Sequence, residues 1–185
     1  MSLHGVAGPP EFWHCPRCGD KLSPAHKGER LRPVCGGCGR THFHNPAVGV
    51  AVILLDEAQR LLLARRFGTY AEGAWCIPCG YVEWEEDVRL AAVRELKEET
   101  GLEVRLGEVF TVHSNFHNPV QHTVGIWFRG EIVGGALSAG SDVDHVGWYD
   151  LDELPGELAF PTDVLVVDAL RRERHSGRSS ASPFS

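Results

Sequence analysis

Glu95, Glu98 and Glu99 stand at i, i+3 and i+4 in the run Arg94-Glu95-Leu96-Lys97-Glu98-Glu99-Thr100-Gly101-Leu102. On an α-helix that spacing turns three carboxylates to one face. Like charges so placed repel, at a cost of about 0.2–0.5 kcal/mol per pair. A solvated helix face tolerates this, and on the helix pattern alone it is the plainer explanation. The same carboxylates also make a hard oxygen site suited to Mg²⁺ or Mn²⁺, with waters and substrate phosphates completing the coordination. Five residues separate Gly80 from Glu86, and seven more lead to Arg94.

A second chemistry is carried by cysteine. All six cysteines fall in CxxC pairs: Cys15/Cys18, Cys35/Cys38 and Cys76/Cys79. The first two pairs are each followed by glycine and lie sixteen residues apart. Four thiolates at this spacing fit a tetrahedral structural Zn²⁺. Residues 12–40 hold few large apolar side chains and need such a staple to fold. Cys76 and Cys79 repeat the motif but sit in the extended approach to Gly80. Alternation there sends Cys76 and Pro78 one way, Ile77 and Cys79 the other, and both cysteines read as small buried residues.

The elements that must position these residues follow from periodicity. Ala47 to Leu55 is a near-continuous apolar run and predicts a buried strand, with Arg60 to Arg66 as its hairpin partner. Trp75 to Val82 predicts a short strand and turn. Asp87 to Thr100 predicts the principal helix, capped by Asp87 and ended by Gly101, with Leu90, Val93 and Leu96 on its apolar face. Further strands are expected at Val104–His113, Thr123–Val133 and Val143–Tyr149. A closing helix is expected over Asp163–Glu173, with Val164, Leu165, Val167 and Leu170 inward. Strands on both sides of one long helix, with another helix at the end, give an α/β sandwich with a mixed sheet. The expected organisation is a loose tail at 1–11, a zinc ribbon at 12–44, an α/β domain at 45–174 and a disordered tail at 175–185.

The run from Gly80 to Leu102 resembles the Nudix box, G-x5-E-x7-R-E-U-x-E-E-x-G-U, where U is a bulky aliphatic residue. Every fixed position is matched. Trp75-Cys76-Ile77-Pro78 and Trp148-Tyr149 with Glu153-Leu154-Pro155 resemble flanking segments of the same family. The resemblance implies a Nudix α/β/α sandwich and Mg²⁺- or Mn²⁺-dependent cleavage of a diphosphate. It assigns metal binding to Glu95, Glu98 and Glu99 and to the main-chain carbonyl of Cys79. Glu86 and Arg94 become a structural pair in which Glu86 orients Arg94. The catalytic base is either Glu95 or an acidic residue on a later loop, Asp142 or Asp144, with Asp144 the selected candidate. Phe116 and Trp84 are candidate substrate-stacking residues; each has an ordinary alternative, Phe116 as a loop aromatic tucked onto its own core. The His-rich stretch containing His113, His117 and His122 lies between two strands, where substrate loops often occur.

A zinc ribbon ahead of such a domain is similar to two groups, the NADH pyrophosphatases, which also act on NAD-capped RNA, and the ADP-ribose and FAD pyrophosphatases. Nothing after Leu102 matches the S-Q-P-W-P-F-P-x-S segment of the first group. Asn45-Pro46 and Pro119, seventeen residues past Leu102, are closer to the second. The implied substrate is therefore a nucleoside diphosphate linked to another moiety, such as ADP-ribose, FAD or an NADH-like dinucleotide, with release of a nucleoside monophosphate. Capped RNA is a further candidate partner, and the resemblance favours a homodimer. The competing reading is a nucleotide sensor whose ribbon contacts nucleic acid.

Composition is compatible with this. A net charge of -7 argues against broad nucleic-acid binding. The exception is Glu11 to Arg40, where six basic and three acidic residues leave a local balance of +3. No apolar run reaches the roughly 18 residues that span a bilayer, so no membrane partner is expected. No basic start with an apolar core opens the chain, which predicts a cytoplasmic location.

Overall fold

The computed structural model describes residues 14–119 and 121–179. The chain divides into two compact units, Met1–Asn45 and Pro46–Ser185. The tail expected at 1–11 lies outside the described residues.

In the first unit, strands β1 (Leu22–Lys27) and β2 (Arg30–Cys35) form an antiparallel hairpin. Its two-residue turn places Gly28 at φ 63°, a conformation open to glycine. Among the described residues of this unit, the buried apolar cluster is Cys15, Leu22 and Cys35. So small a core cannot offset the chain entropy of ordering the hairpin.

The second unit contains the mixed sheet. It runs in the order β6 (Cys79–Tyr81), β3 (Ala47–Ile53), β8 (Thr123–Gly135) and β7 (Leu102–Asn115). β3 and β8 are parallel, and the other pairs are antiparallel. Three further strands make a separate antiparallel sheet: β5 (Trp75–Cys76), β4 (Leu61–Arg66) and β9 (Val143–Tyr149). The expected hairpin between the Ala47 and Arg60 segments therefore forms only at its turn, beyond which the two strands enter different sheets. Their backbones pair only near the connection, at the Leu55–Leu61 bridge and the Leu62 N–H to Leu54 carbonyl bond of 3.1 Å, and farther along they meet through core side chains. The reason is burial on both faces. Leu61, Leu62, Leu63 and Ala64 are all fully buried, so an apolar run of this kind carries no alternation that would assign it to one sheet.

Helix α1 (Val88–Thr100) begins and ends as its caps dictate. The Asp87 carboxylate accepts from the Arg89 N–H at 2.8 Å, and Gly101 closes the helix at φ 71°. Its inward face is the expected one at Leu96 and Val93 but not at Leu90. Leu90 is two-thirds exposed, whereas Ala91, Ala92 and Leu96 are buried against Val50, Val52 and Phe128. Two alanines let the helix backbone approach the sheet, so the small residues take the inner stripe. Glu95 and Glu99 continue that stripe, following Val88 and Ala92 at helical spacing.

Helix α2 (Pro161–Ser179) covers the opposite face of the mixed sheet. Val166, Val167 and Leu170 pack against Ala51, Ile53, Leu61, Leu63 and Trp127. Val164 and Leu165, expected inward, are exposed, and Val166 takes their place. Residues 175–179, expected in a disordered tail, belong to α2; the rest of that tail lies outside the described residues. No helix among the described residues is long and apolar enough to cross a membrane.

The two stripes of α1 make a direct test. Leu96→Ala should cost about 2–5 kcal/mol, and Leu90→Ala no more than about 0.5 kcal/mol. Urea unfolding of both variants measures the difference. Equal losses would mean that the helix presents Leu90 to the core.

Candidate active site

The mixed sheet, the start of α2 and Glu95 of α1 line a cavity of about 500 Å³, which Glu98 and Glu99 do not reach. That is within the roughly 300–1,000 Å³ usual for small-molecule sites. Its walls include Gly49 to Ala51 of β3, Cys79 to Tyr81 of β6, and Gly125 to Trp127 of β8. Glu95, Arg66 and Asp142 bring charge to it, and Tyr70, His117 and Phe160 bring aromatic surface.

Arg94 organises the acidic side. Its Nε and Nη2 donate to the two oxygens of Glu86, both at 2.8 Å. Nη2 also donates to the Tyr81 carbonyl at 3.1 Å, and Nη1 donates to Glu95 at 2.8 Å and Glu98 at 3.2 Å. Glu86 is fixed in turn by the Glu83 N–H at 3.0 Å. Hydrogen bonding from Arg94 holds the Glu86 carboxyl down at about 2. One guanidinium therefore ties the β6 turn to three carboxylates, in the planar fork geometry that suits arginine.

The three helix glutamates occupy different environments. Glu95 lies on the cavity wall, directly over Gly80. A methyl group at Gly80 would fall inside the Glu95 carboxylate, so only glycine allows this approach. Burial raises the Glu95 carboxyl above its usual value. Glu99 is buried and accepts the Cys79 N–H at 2.9 Å; burial pushes it up to about 8. A carboxylate so deeply desolvated ionises readily only beside a compensating cation. Glu98 is the most exposed of the three and faces Arg94.

Asp142 and Asp144, the alternatives for a base on a later loop, are separated by their placement. Arg65 holds Asp144 through two bonds, Nε at 2.7 Å and Nη2 at 3.0 Å, and keeps its carboxyl below the usual value. Asp144 does not line the cavity, whereas Asp142 does. The strand alternation of β9 and the available arginine account for the difference from the expected choice. The loop before Asp142 is docked on the end of α1: Ser138 donates to the Thr100 carbonyl at 2.9 Å and Gly140 to the Glu99 carbonyl at 3.1 Å. A Cβ at Gly140 would strike the Glu98 carbonyl oxygen. Helix-terminal carbonyls thus place Asp142 beside Glu95 and Glu99.

The remaining candidates are less close. Phe116 is exposed and packs edge-on against His122 at 5.0 Å, and Trp84 is 90% exposed; neither lines the cavity. Cys76 is fully buried and Cys79 half-buried at the cavity wall. Two residues not anticipated from sequence are prominent. Arg66 presents a half-buried cation, bound to the Tyr70 carbonyl at 2.7 Å and Thr69 Oγ1 at 2.9 Å, with Asp142 3.9 Å away. Asp163 is buried at the start of α2 and accepts the Ile77 N–H at 3.1 Å and the Trp127 Nε1–H at 3.2 Å. Burial raises it to about 7. It joins α2, β8 and the link from β5 to β6. No spacing pattern marks either residue: Arg66 is one of two adjacent arginines, and Asp163 looks like a helix-start aspartate.

The cysteine unit is separate. The sulfurs of Cys15, Cys18, Cys35 and Cys38 all lie within 4.8 Å of one another, the only His, Cys, Asp or Glu group so gathered among the described residues. The two halves repeat one geometry. Gly19 donates to the Cys15 carbonyl at 2.8 Å and Gly39 to the Cys35 carbonyl at 3.1 Å, with positive φ at both glycines. The Cys38 N–H approaches Cys35 Sγ at 3.4 Å.

A family model described as the NUDIX domain matches residues 45–173. The chain belongs to the Nudix family. A relative named ADP-ribose pyrophosphatase from Methanocaldococcus jannaschii is 36% identical over 133 residues, covering 71% of this chain and 77% of the relative. A relative from Chromobacterium violaceum named NAD-capped RNA hydrolase NudC is 30% identical over 158 residues. That match covers 83% of this chain, which spans 57% of the NudC relative's length. Among solved structures, a NUDIX hydrolase from Nitrosomonas europaea superposes with a TM-score of 0.77 at 26% identity, covering 90% of this chain and 94% of that one. The Nudix box thus spans β6, the Glu86 turn and α1, the segment that Arg94 holds together.

The Glu86–Arg94 pair sets a pH dependence. The folded Glu86 carboxyl lies below its ordinary value of 4.5, so its stabilising contribution is complete above that value and is lost as pH falls through about 2. The melting-temperature gap between the wild type and Glu86→Gln should be constant from neutral pH to about pH 5 and close between pH 4.5 and 2. A gap that stays constant on acidification would mean that the charge of Glu86 carries none of the stability.

Proposed function

We propose that this Nudix protein hydrolyses the diphosphate of a nucleoside diphosphate linked to a second group, with ADP-ribose as the first substrate to test. The observation that carries the reading is the Glu95 carboxylate laid over Gly80 at the wall of a cavity that continues past Arg66 to three aromatic rings. The names of the ADP-ribose pyrophosphatase and NudC relatives support the substrate class.

Glu95, Glu98 and Glu99 are the proposed ligands of Mg²⁺ or Mn²⁺, together with the main-chain carbonyl of Cys79. The donor set fits: hard carboxylate oxygens within one helical segment, with more acidic groups than the two arginines beside them can neutralise. When bound, a divalent ion there supplies Lewis-acid polarisation of the phosphoryl group and lowers the pKa of a coordinated water. Arg94 fixes the rotamers of Glu95 and Glu98, and Glu86 fixes Arg94. Arg66 offsets phosphate charge at the cavity wall. Asp142 is the preferred proton acceptor for the attacking water, because it faces the cavity and Asp144 is held by Arg65; Glu95 is the alternative. Breaking the anhydride bond then yields a nucleoside monophosphate and a second phosphate ester.

Turnover of ADP-ribose, NADH, FAD, a diadenosine polyphosphate and NAD-capped RNA, with and without Mg²⁺, tests this directly. Metal-dependent hydrolysis of at least one is expected, and Glu98→Gln and Glu99→Gln should each lower kcat by about 10²-fold or more. Unchanged turnover in both variants would remove the site assignment.

We further propose that Cys15, Cys18, Cys35 and Cys38 hold one structural Zn²⁺. Support comes from the gathered sulfurs, the paired glycine turns and a core of three buried residues among those described. Metal analysis of the purified protein should find about one Zn²⁺ per chain. Chelation should abolish the hydrogen-exchange protection of the β1–β2 hairpin while sparing α1. Protection that survives complete metal removal would show that the hairpin needs no ion.

A further inference from the structure

Tyr70, His117 and Phe160 come from three separate segments and meet at the cavity wall. Ring centroids lie 5.2 Å apart for Tyr70 and His117, 5.5 Å for His117 and Phe160, and 6.4 Å for Tyr70 and Phe160, whose planes differ by 16°. Arg66 joins this cluster to the acidic end: its guanidinium lies 5.1 Å from the Phe160 ring centre, and its Nε binds the Tyr70 carbonyl. The order along the cavity is carboxylates, cation, aromatic rings. A nucleoside diphosphate carries its groups in the same order, with phosphates beside the cation and a planar base beyond.

The hydrogen bonds around His117 define its tautomer. The His117 main-chain N–H points to Asn115 Oδ1 at 3.4 Å, which requires an acceptor at that atom. Asn115 Nδ2 correspondingly donates to Thr162 Oγ1 at 3.3 Å. His117 Nδ1 lies 2.5 Å from the same Oδ1 and must therefore carry the proton. In the neutral ring, Nε2 is left as an acceptor at the far side of the imidazole. Burial lowers the His117 pKa, in keeping with a neutral ring. The Tyr70 loop is likewise defined. Gly73 donates to the Arg66 carbonyl and Arg66 to the Ala74 carbonyl, and Ala71 is held at φ 55°, which a non-glycine residue adopts only under constraint.

We propose that Tyr70, His117 and Phe160 form the nucleobase subsite of this cavity, and that His117 Nε2 accepts a hydrogen bond from the exocyclic amino group of adenine. The assignment rests on the hydrolase reading for its substrate class. It replaces Phe116 and Trp84 as base-stacking residues, since neither reaches the cavity. The subsite selects adenosine over inosine, because the inosine 6-oxo group would set one acceptor against another.

Calorimetry with the full chain and no added metal, using AMP, IMP and ribose 5-phosphate, reads the subsite independently of turnover. AMP should bind more tightly than IMP by about tenfold, the value of one good polar pair. Tyr70→Ala, which keeps the carbonyl that Arg66 binds, should weaken AMP by roughly 5–100-fold and leave ribose 5-phosphate unchanged. His117→Ala should bring the AMP to IMP ratio close to one, and His117→Gln should restore part of it. In turnover, the same variants should raise KM for ADP-ribose more than they lower kcat. Failure of wild-type AMP to outbind IMP, or a ratio unmoved by both His117 variants, would overturn the subsite even where hydrolysis is normal. Loss of AMP binding in Tyr70→Ala alongside no Mg²⁺-dependent turnover of any substrate would leave the subsite standing and remove the hydrolase reading.

Discussion

The acidic site depends on the Arg94 guanidinium. Glu86, Glu95 and Glu98 all point at it, and without a cation among them their mutual repulsion would splay the Glu86 turn away from α1. The arrangement also explains why a helix carries carboxylates on its inner stripe. Glu95 and Glu99 follow Val88 and Ala92 at the spacing of core residues, and Glu95 is tolerated there because it opens on the cavity. Glu99 is stabilised from the other side by the Cys79 N–H. The strand before the turn and the helix after it are thus fastened through polar groups, where an ordinary strand–helix unit would use apolar packing.

Two further fastenings complete the walls. Asp163 receives N–H groups from Ile77 and Trp127 and so joins the start of α2 to both sheets. The Ser138 and Gly140 amides bind the terminal carbonyls of α1 and deliver Asp142 to the cavity. In each case an end of a helix, where main-chain groups lack intrahelical partners, serves as the point of attachment. Aromatic surface is then added from loops: Tyr70 through Arg66, and His117 through Asn115 and Thr162.

Much of this was legible in the chain. The Gly80-to-Leu102 pattern identified the family, and Asp87 and Gly101 marked α1 correctly because capping is a local property. The strand at Val143–Tyr149 was also placed as observed. What was not legible depends on contacts distant in sequence. The parting of β3 and β4 into different sheets beyond their turn leaves no mark, because both runs are buried on two faces and carry no alternation. Leu90 was misplaced because two helical stripes compete, and the close approach allowed by Ala91 and Ala92 decides between them. Asp142 and Asp144 differ only in what surrounds them, an arginine for one and a cavity for the other. Arg66, Tyr70 and Phe160 come together from segments that share no motif.

The parallel pairing of β3 with β8 bears on how the cavity comes into being. Its register joins Ala47 to Thr123 and Ala51 to Trp127, so the two walls beside Gly80 come from distant parts of the chain. Closing so long an intervening segment is entropically slow. During synthesis the acidic helix emerges well before β8 and α2, and for that interval Glu95 and Glu99 have no enclosing wall. A nascent chain therefore has the carboxylates before it has the cavity, whose walls are complete only when β8 and α2 have docked.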